Sequence, residues 1–62
     1  MKTAHFKVRV NYESNEYQIK AVEPQYAYLN YLCKSMADMF NTIYKITKDL
    51  RNIQVRSVFN FE

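Results

Sequence analysis

Three short segments of the chain alternate between apolar and polar residues along most of their length. Successive side chains of a β-strand point to opposite faces, so a strand that is covered on one side shows this alternation. The segments are residues 5–12, 17–22 and 53–61, with apolar sets that begin at Phe6, Tyr17 and Ile53. The pattern predicts three strands of one sheet, with one apolar face and one polar face.

A different period occupies the stretch between the second and third predicted strands. From Leu29 to Leu50 the apolar residues step alternately by three and four, which is typical of an amphipathic helix. Pro24 suits a first helical turn, and Asn52 suits a left-handed residue after the helix end. The sequence predicts one helix over residues 24–51, roughly 40 Å long and longer than the strands it would cover.

These elements predict an α+β fold of ββαβ order, as a single domain over residues 1–62. Residues 13–16 form the predicted hairpin loop, in which Asn15 is best suited to a left-handed conformation. We expect a three-stranded antiparallel sheet in the order 2-1-3, with one long amphipathic helix packed on one face. A sheet that is covered on one face and wet on the other is typical of antiparallel pairing.

Chain length favours self-association. A chain of 62 residues buries only about 60% of the surface that it exposes when unfolded, so small domains need additional stabilisation. Cys33 is the only cysteine, which excludes an internal disulfide, and its place on the apolar side of the predicted helix indicates burial. No His/Cys cluster offers a metal site. We therefore expect a homodimer, with no metal and no cofactor.

The polar face of the predicted sheet carries the clearest functional hint. The chain has a net charge of +3 and a pI of about 9.1, which excludes an acidic DNA mimic and mildly favours anionic partners. Four cations fall on the predicted polar face, with no acid beside them: Lys7, Arg9, Lys20 and Arg56. Regularly spaced cations can neutralise successive phosphates. The competing interpretation is an ordinary solvated face, since lysine and arginine are common there.

Aromatic residues alternate to the opposite face, so a nucleic-acid ligand would be recognised through its backbone or shape rather than by stacked bases. Tyr28 and Tyr31 fall on or near the outer face of the predicted helix. Because tyrosine is enriched at protein interfaces, they are candidate partner contacts, although scattered exposed aromatics also occur by chance.

No catalytic constellation is evident. His5 is the only histidine and has no predicted acid partner in its strand, and Asp38 and Asp49 lie nearly three helical turns apart. A domain of this size has little room for a small-molecule pocket. We expect no enzyme activity and no small-molecule substrate.

Cellular location and origin are inferred from composition. A single cysteine, no signal peptide and no long apolar run favour a cytoplasmic protein without membrane contact. The chain has no glycine and is rich in Phe, Tyr, Ile, Asn and Lys, whose codons are AT-rich. This indicates an AT-rich genome such as that of many bacteriophages, which would place the protein in the host cytoplasm.

The leading hypothesis is a small, non-enzymatic nucleic-acid-binding protein, RNA being one candidate ligand, with a regulatory or counter-defence role. The alternative is an inhibitor or adaptor that engages an acidic host protein, such as an enzyme, through the basic face or the helix. A third interpretation is a structural subunit of a larger assembly.

Overall fold

In the part of the chain that the structure describes, four strands form one mixed sheet, and a single α-helix packs on one of its faces. The computed structural model describes residues 2–61. In chain order the elements are β1 (Lys2–Asn11), β2 (Glu16–Ala21), a 3-10 turn (Pro24–Tyr26), β3 (Asn30–Cys33), α1 (Met36–Asp49) and β4 (Ile53–Phe61). The protein is therefore α+β with one helix on a sheet, as the sequence predicts.

The sheet has the order β3-β2-β1-β4. β1 pairs antiparallel with β2, placing Val8 opposite Ile19, and β2 pairs antiparallel with β3. On its other side β1 pairs parallel with β4, placing Val8 opposite Phe59. β1 is thus hydrogen-bonded on both sides, and β3 and β4 are the two edges.

The predicted helix begins twelve residues too early, because residues 24–35 hold a 3-10 turn and the edge strand β3. Leu29 and Cys33 are both buried, as the apolar spacing predicts, although neither residue lies in the helix. A spacing of four residues keeps side chains on one face of an extended strand as well as on one face of a helix. The helix begins instead after Ser35, whose Oγ accepts a hydrogen bond from the Asp38 N–H at 3.1 Å.

The edge strand also changes the direction of the last strand. The prediction that the last strand pairs with the first is correct, but the predicted antiparallel sheet of three strands is wrong. Each hairpin or helix return reverses the chain, so one additional strand between β2 and the helix turns β4 parallel to β1. The three predicted strands, now β2, β1 and β4, are in the predicted order, but the sheet contains both antiparallel and parallel pairs.

The helix is short and covers only part of the sheet. Its 14 residues span about 21 Å, so the prediction of a helix about 40 Å long, longer than the strands, is wrong. α1 packs over β2, β3 and part of β4, and Thr42 Oγ1 lies 3.5 Å from Cys33 Sγ of β3. Cys33 is buried, as predicted. The far half of β4 is left without a helix above it.

The core combines the apolar positions of β1 and β2 with one side of α1. Phe6, Val8 and Val10 are at most 1% exposed, and Met39 and Ile46 of the helix are 2% exposed. The other core residues are Ala4, Tyr17, Ile19, Tyr26, Leu29, Cys33 and Leu50. The alternation in β1 and β2 thus marks the covered face correctly, whereas Phe59 and Phe61 of β4 are on the same side of the sheet but exposed.

Two asparagines make the turns in a chain without glycine. Asn15 has φ 54° and Asn52 has φ 62°, so both adopt the left-handed conformation that the sequence predicts for them. Asn11 Oδ1 also accepts hydrogen bonds from the N–H groups of Glu13 and Ser14, at 3.1 and 3.3 Å. These turns set the hairpin between β1 and β2 and the entry into β4.

The helix cap offers a direct test of where α1 begins. Replacing Ser35 with alanine removes the acceptor for the Asp38 N–H and is expected to lower the free energy of unfolding by about 1 kcal/mol. Ser35→Asn keeps a capping oxygen and should stay close to the wild-type value. Urea unfolding followed by circular dichroism measures both. A Ser35→Ala variant as stable as the wild type would show that the helix does not start at this cap.

Candidate functional site

The face of the sheet that α1 leaves uncovered, called here the open face, holds the predicted cations. Lys7 and Arg9 in β1, Lys20 in β2 and Arg56 in β4 are all exposed. Lys7 and Arg9 alternate with β1 residues buried under the helix, so both point away from the core. The structure therefore brings the four predicted residues to one side of the sheet.

Strand register places two of these cations directly side by side. Lys7 lies opposite Lys20 in the antiparallel pair of β1 and β2. Side chains directly opposite each other have Cβ atoms only about 4.5–5.5 Å apart. Arg56 lies opposite His5 in the parallel pair of β1 and β4. His5 is the residue next to Lys7 on the same face of β1. The positive charge is concentrated on the three strands β2, β1 and β4.

One acid shares the open face, so the prediction of a face without acids is wrong. Glu16 belongs to β2 rather than to the hairpin loop and lies opposite Asn11. A hydrogen bond from Ser14, followed by the charge of Lys34 at 3.5 Å, holds the pKa of Glu16 below its usual value. Glu16 and Lys20 are four strand residues apart, about 13 Å, so this acid does not neutralise the lysine pair.

A second acid, Glu23, lies at the opposite end of the open face from Glu16. Glu23 Oε1 accepts a hydrogen bond from the His5 backbone N–H at 2.8 Å, and Oε2 lies 2.6 Å from His5 Nδ1. These bonds, the side-chain one foremost, lower the pKa of Glu23. Glu23 lies outside the strand of His5, so the search for an acid within that strand did not find it. The hairpin register could have indicated this contact, because the Val22 N–H donates a hydrogen bond to the His5 carbonyl and so places Glu23 beside His5.

A shallow depression of about 340 Å³ lies on the open face and extends across β1, β2 and β3. It is lined by Arg9, Asn11, Glu16, Gln18 and Leu32. It thus offers a guanidinium, two amides and a carboxylate beside one apolar wall. Such a group of donors and acceptors can hydrogen-bond a polar ligand lying across the sheet. The sequence did not predict this depression, because Leu32 belongs to the missed strand β3.

The two tyrosines proposed as partner contacts lie elsewhere than predicted. Tyr28 is in the turn before β3 and is 73% exposed, while Tyr31 is in β3 and is 39% exposed. Neither is on the outer face of α1, because residues 24–35 are not part of the helix. Tyr31 lies opposite the buried Ile19, so it faces the helix side of the sheet and not the cations. No aromatic residue of the four described strands lies on the open face apart from the imidazole of His5.

No protein-family model, curated protein or solved structure matches the chain. Within residues 2–61, no three His, Cys, Asp or Glu side chains are grouped as metal ligands. None of the described helices has the length and apolar character needed to cross a membrane. The geometry and charge of the open face are therefore the basis for a functional proposal.

The His5–Glu23 contact predicts a pH-dependent contribution to stability. The pKa of Glu23 is lower in the folded chain than its ordinary value of 4.5, so the carboxylate stabilises the fold above that value. The contribution is lost as the pH falls through the folded-state pKa. A Glu23→Gln variant should therefore unfold at lower urea than the wild type at neutral pH, and the difference should shrink in acid.

Glu13→Gln is the matched control, since Glu13 lies in the exposed hairpin loop. It should leave the urea midpoint unchanged at neutral pH. If the wild type and Glu23→Gln differ by the same amount at neutral and acid pH, the carboxylate charge of Glu23 does not act through this contact.

Proposed function

We propose that the protein binds nucleic acid through the open face of its sheet, without enzymatic activity. Lys7, Lys20, Arg9 and Arg56 would contact the phosphates of RNA or DNA. The observation that carries the proposal is the convergence of these four cations on one exposed and uncovered face. Each phosphate that they neutralise would release condensed counterions and so strengthen binding.

The lysine pair is the strongest support. Like charges directly opposite each other on a sheet are destabilising, and Lys7 and Lys20 occupy such a pair at its centre. Solubility alone does not require this arrangement, since a neutral polar residue at either position would keep the face wet. A bound phosphate between the two ammonium groups would convert the repulsion into attraction.

The open face supports recognition of the backbone rather than of bases. Proteins that read single-stranded RNA on a sheet stack its bases on aromatic side chains, and the strands here turn their aromatic rings to the other face. Gln18 and Asn11, in the depression beside Arg9, can hydrogen-bond phosphate or sugar oxygens. We therefore propose binding with little sequence preference and a strong dependence on salt.

A regulatory or counter-defence role in the host cytoplasm, for a protein encoded by a phage, fits this proposal. Small size and a composition drawn from AT-rich codons support it. A protein that covers phosphate backbones without cutting them would act by competing with other proteins for the same nucleic acid.

Salt titration tests the proposal. With four phosphate contacts, the logarithm of the binding constant should fall against the logarithm of salt concentration with a slope of about −3 for single strands and about −3.6 for duplex DNA. Lys7→Gln combined with Lys20→Gln should reduce that slope by about half and weaken binding at low salt. Fluorescence anisotropy with labelled single-stranded and duplex RNA and DNA measures both quantities.

Lys45→Gln combined with Arg51→Gln is the matched control. It removes the same charge from exposed residues of α1 and the turn after it. This variant should bind like the wild type if the open face is the binding surface. Equal weakening by both double variants would indicate attraction by net charge alone. Absence of nucleic-acid binding at low salt would reject the proposal and favour an acidic protein as the partner of this face.

A further inference from the structure

The two edges of the sheet differ in a way that matters for association. β3 is only four residues long, and short edge strands offer little backbone for pairing with another chain. β4 is nine residues long and contains one charged residue, Arg56, and no proline. Charges, proline and short length are the usual means by which natural proteins keep edges unpaired. β4 lacks these protections along most of its length.

Apolar side chains are exposed along the second half of β4. Val58 is 55% exposed, Phe59 36% and Phe61 63%. Phe61 stacks on Tyr12 with ring centroids 6.0 Å apart, and Phe59 lies 6.5 Å from Phe61. The rings of Tyr12, Phe61 and Phe59 form a row on the helix side of the sheet, beyond the part that α1 covers. Contiguous exposed apolar surface next to an unpaired edge is typical of an interaction site.

We propose that two copies of the chain pair antiparallel through β4, about a two-fold axis that passes between the Ser57 residues of the two copies. Ser57 is the midpoint of the strand Ile53–Phe61, so this register pairs all nine residues of each copy. The resulting sheet has eight strands, with both helices on one side. The occupant of this edge is therefore a second copy of the same chain.

The side chains on the helix side support this register. Ile53 and Val55 are half-buried at the start of β4, and Phe59 and Phe61 are exposed at its end. Rotation about the axis places Val55 opposite Phe59 of the second copy and Ile53 opposite its Phe61. Pairs of aromatic and β-branched residues are among the favourable cross-strand contacts. Each copy thus supplies the apolar cover that the other lacks.

Charge on the open face favours the same register. With the axis at Ser57, Arg56 lies opposite Val58 of the second copy, and Gln54 lies opposite Asn60. Moving the axis by one residue, to Arg56, would put the two arginines directly opposite each other, which is unfavourable. The two open faces become continuous, and their arginines flank the axis. The pairing itself depends on β4 alone and not on the proposed nucleic-acid binding.

Crosslinking tests the position of the axis. Ser57→Cys, in a Cys33→Ser background, places two thiols on residues whose Cα atoms would be about 4.5–5.5 Å apart, a separation that a disulfide spans. We expect rapid formation of a disulfide-linked dimer under mild oxidation. Gln54→Cys in the same background is the matched control, because residues 54 of the two copies would lie about 20 Å apart. Equal crosslinking of both variants would overturn the proposed register.

Charge substitutions at Val58 test the pairing in solution. Val58→Lys faces Arg56 of the second copy and should raise the dimer dissociation constant by roughly two- to thirtyfold, because the contact occurs twice. Val58→Glu should lower it by a similar factor. Leu32→Lys is the control, since Leu32 is 56% exposed on the opposite edge, as Val58 is 55% exposed. Sedimentation of nuclease-treated protein, with folding checked by circular dichroism, measures the constants.

A wild-type chain that stays monomeric from micromolar to millimolar concentration would overturn the proposal. So would a dimer that responds to Leu32→Lys and not to the Val58 variants, since that result assigns the interface to β3. Because nucleic acid is removed before measurement, neither outcome depends on whether the open face binds it.

Discussion

The two-residue alternation of β1, held between β2 and β4, is the constraint on which the rest of the structure depends. Phe6, Val8 and Val10 are at most 1% exposed, while Lys7 and Arg9 between them are exposed. A shift of one residue in the pairing would move the whole apolar set to the wet face and bury both cations. Burying an unpaired charge costs several kcal/mol per ion, so the register is strongly determined.

This constraint links the core to the candidate site. The residues that anchor β1 under the helix also hold the intervening cations at fixed positions on the other face. Lys7 and Lys20 are brought side by side because Val8 and Ile19 pair beneath the helix, one position along. The free energy gained by burying the apolar face thus offsets the repulsion between Lys7 and Lys20 on the open face. A small domain can present concentrated charge in this way without a rigid loop or a bound metal.

Short-range patterns predicted part of this structure well. Strict alternation predicted β1, β2 and β4 to within a few residues at their ends, and Asn15 and Asn52 adopt the predicted left-handed conformation. The cations Lys7, Lys20 and Arg56 share a face because that property depends only on alternation and on a common sheet. These features follow from local geometry, in which each residue is compared with its nearest neighbours.

The features that the sequence did not predict depend on competition between elements. Leu29 and Cys33 satisfy a helical spacing and a strand spacing equally, and only pairing with β2 decides between them. Once β3 is missed, the direction of β4 is wrong as well, because the number of chain reversals changes. The contact between His5 and Glu23 joins residues 18 positions apart and follows from the hairpin register. Predicting such contacts requires knowing which strands pair and in which register.

One face of this sheet packs on the core, and we propose that the other binds anions. Nuclear magnetic resonance titration of the isotopically labelled protein with a short oligonucleotide at low salt tests it most directly. We expect the largest chemical-shift changes at Lys7, Lys20, Arg9 and Arg56, while the lysines of α1 change little. Changes concentrated on α1, or none at saturating oligonucleotide, would contradict it.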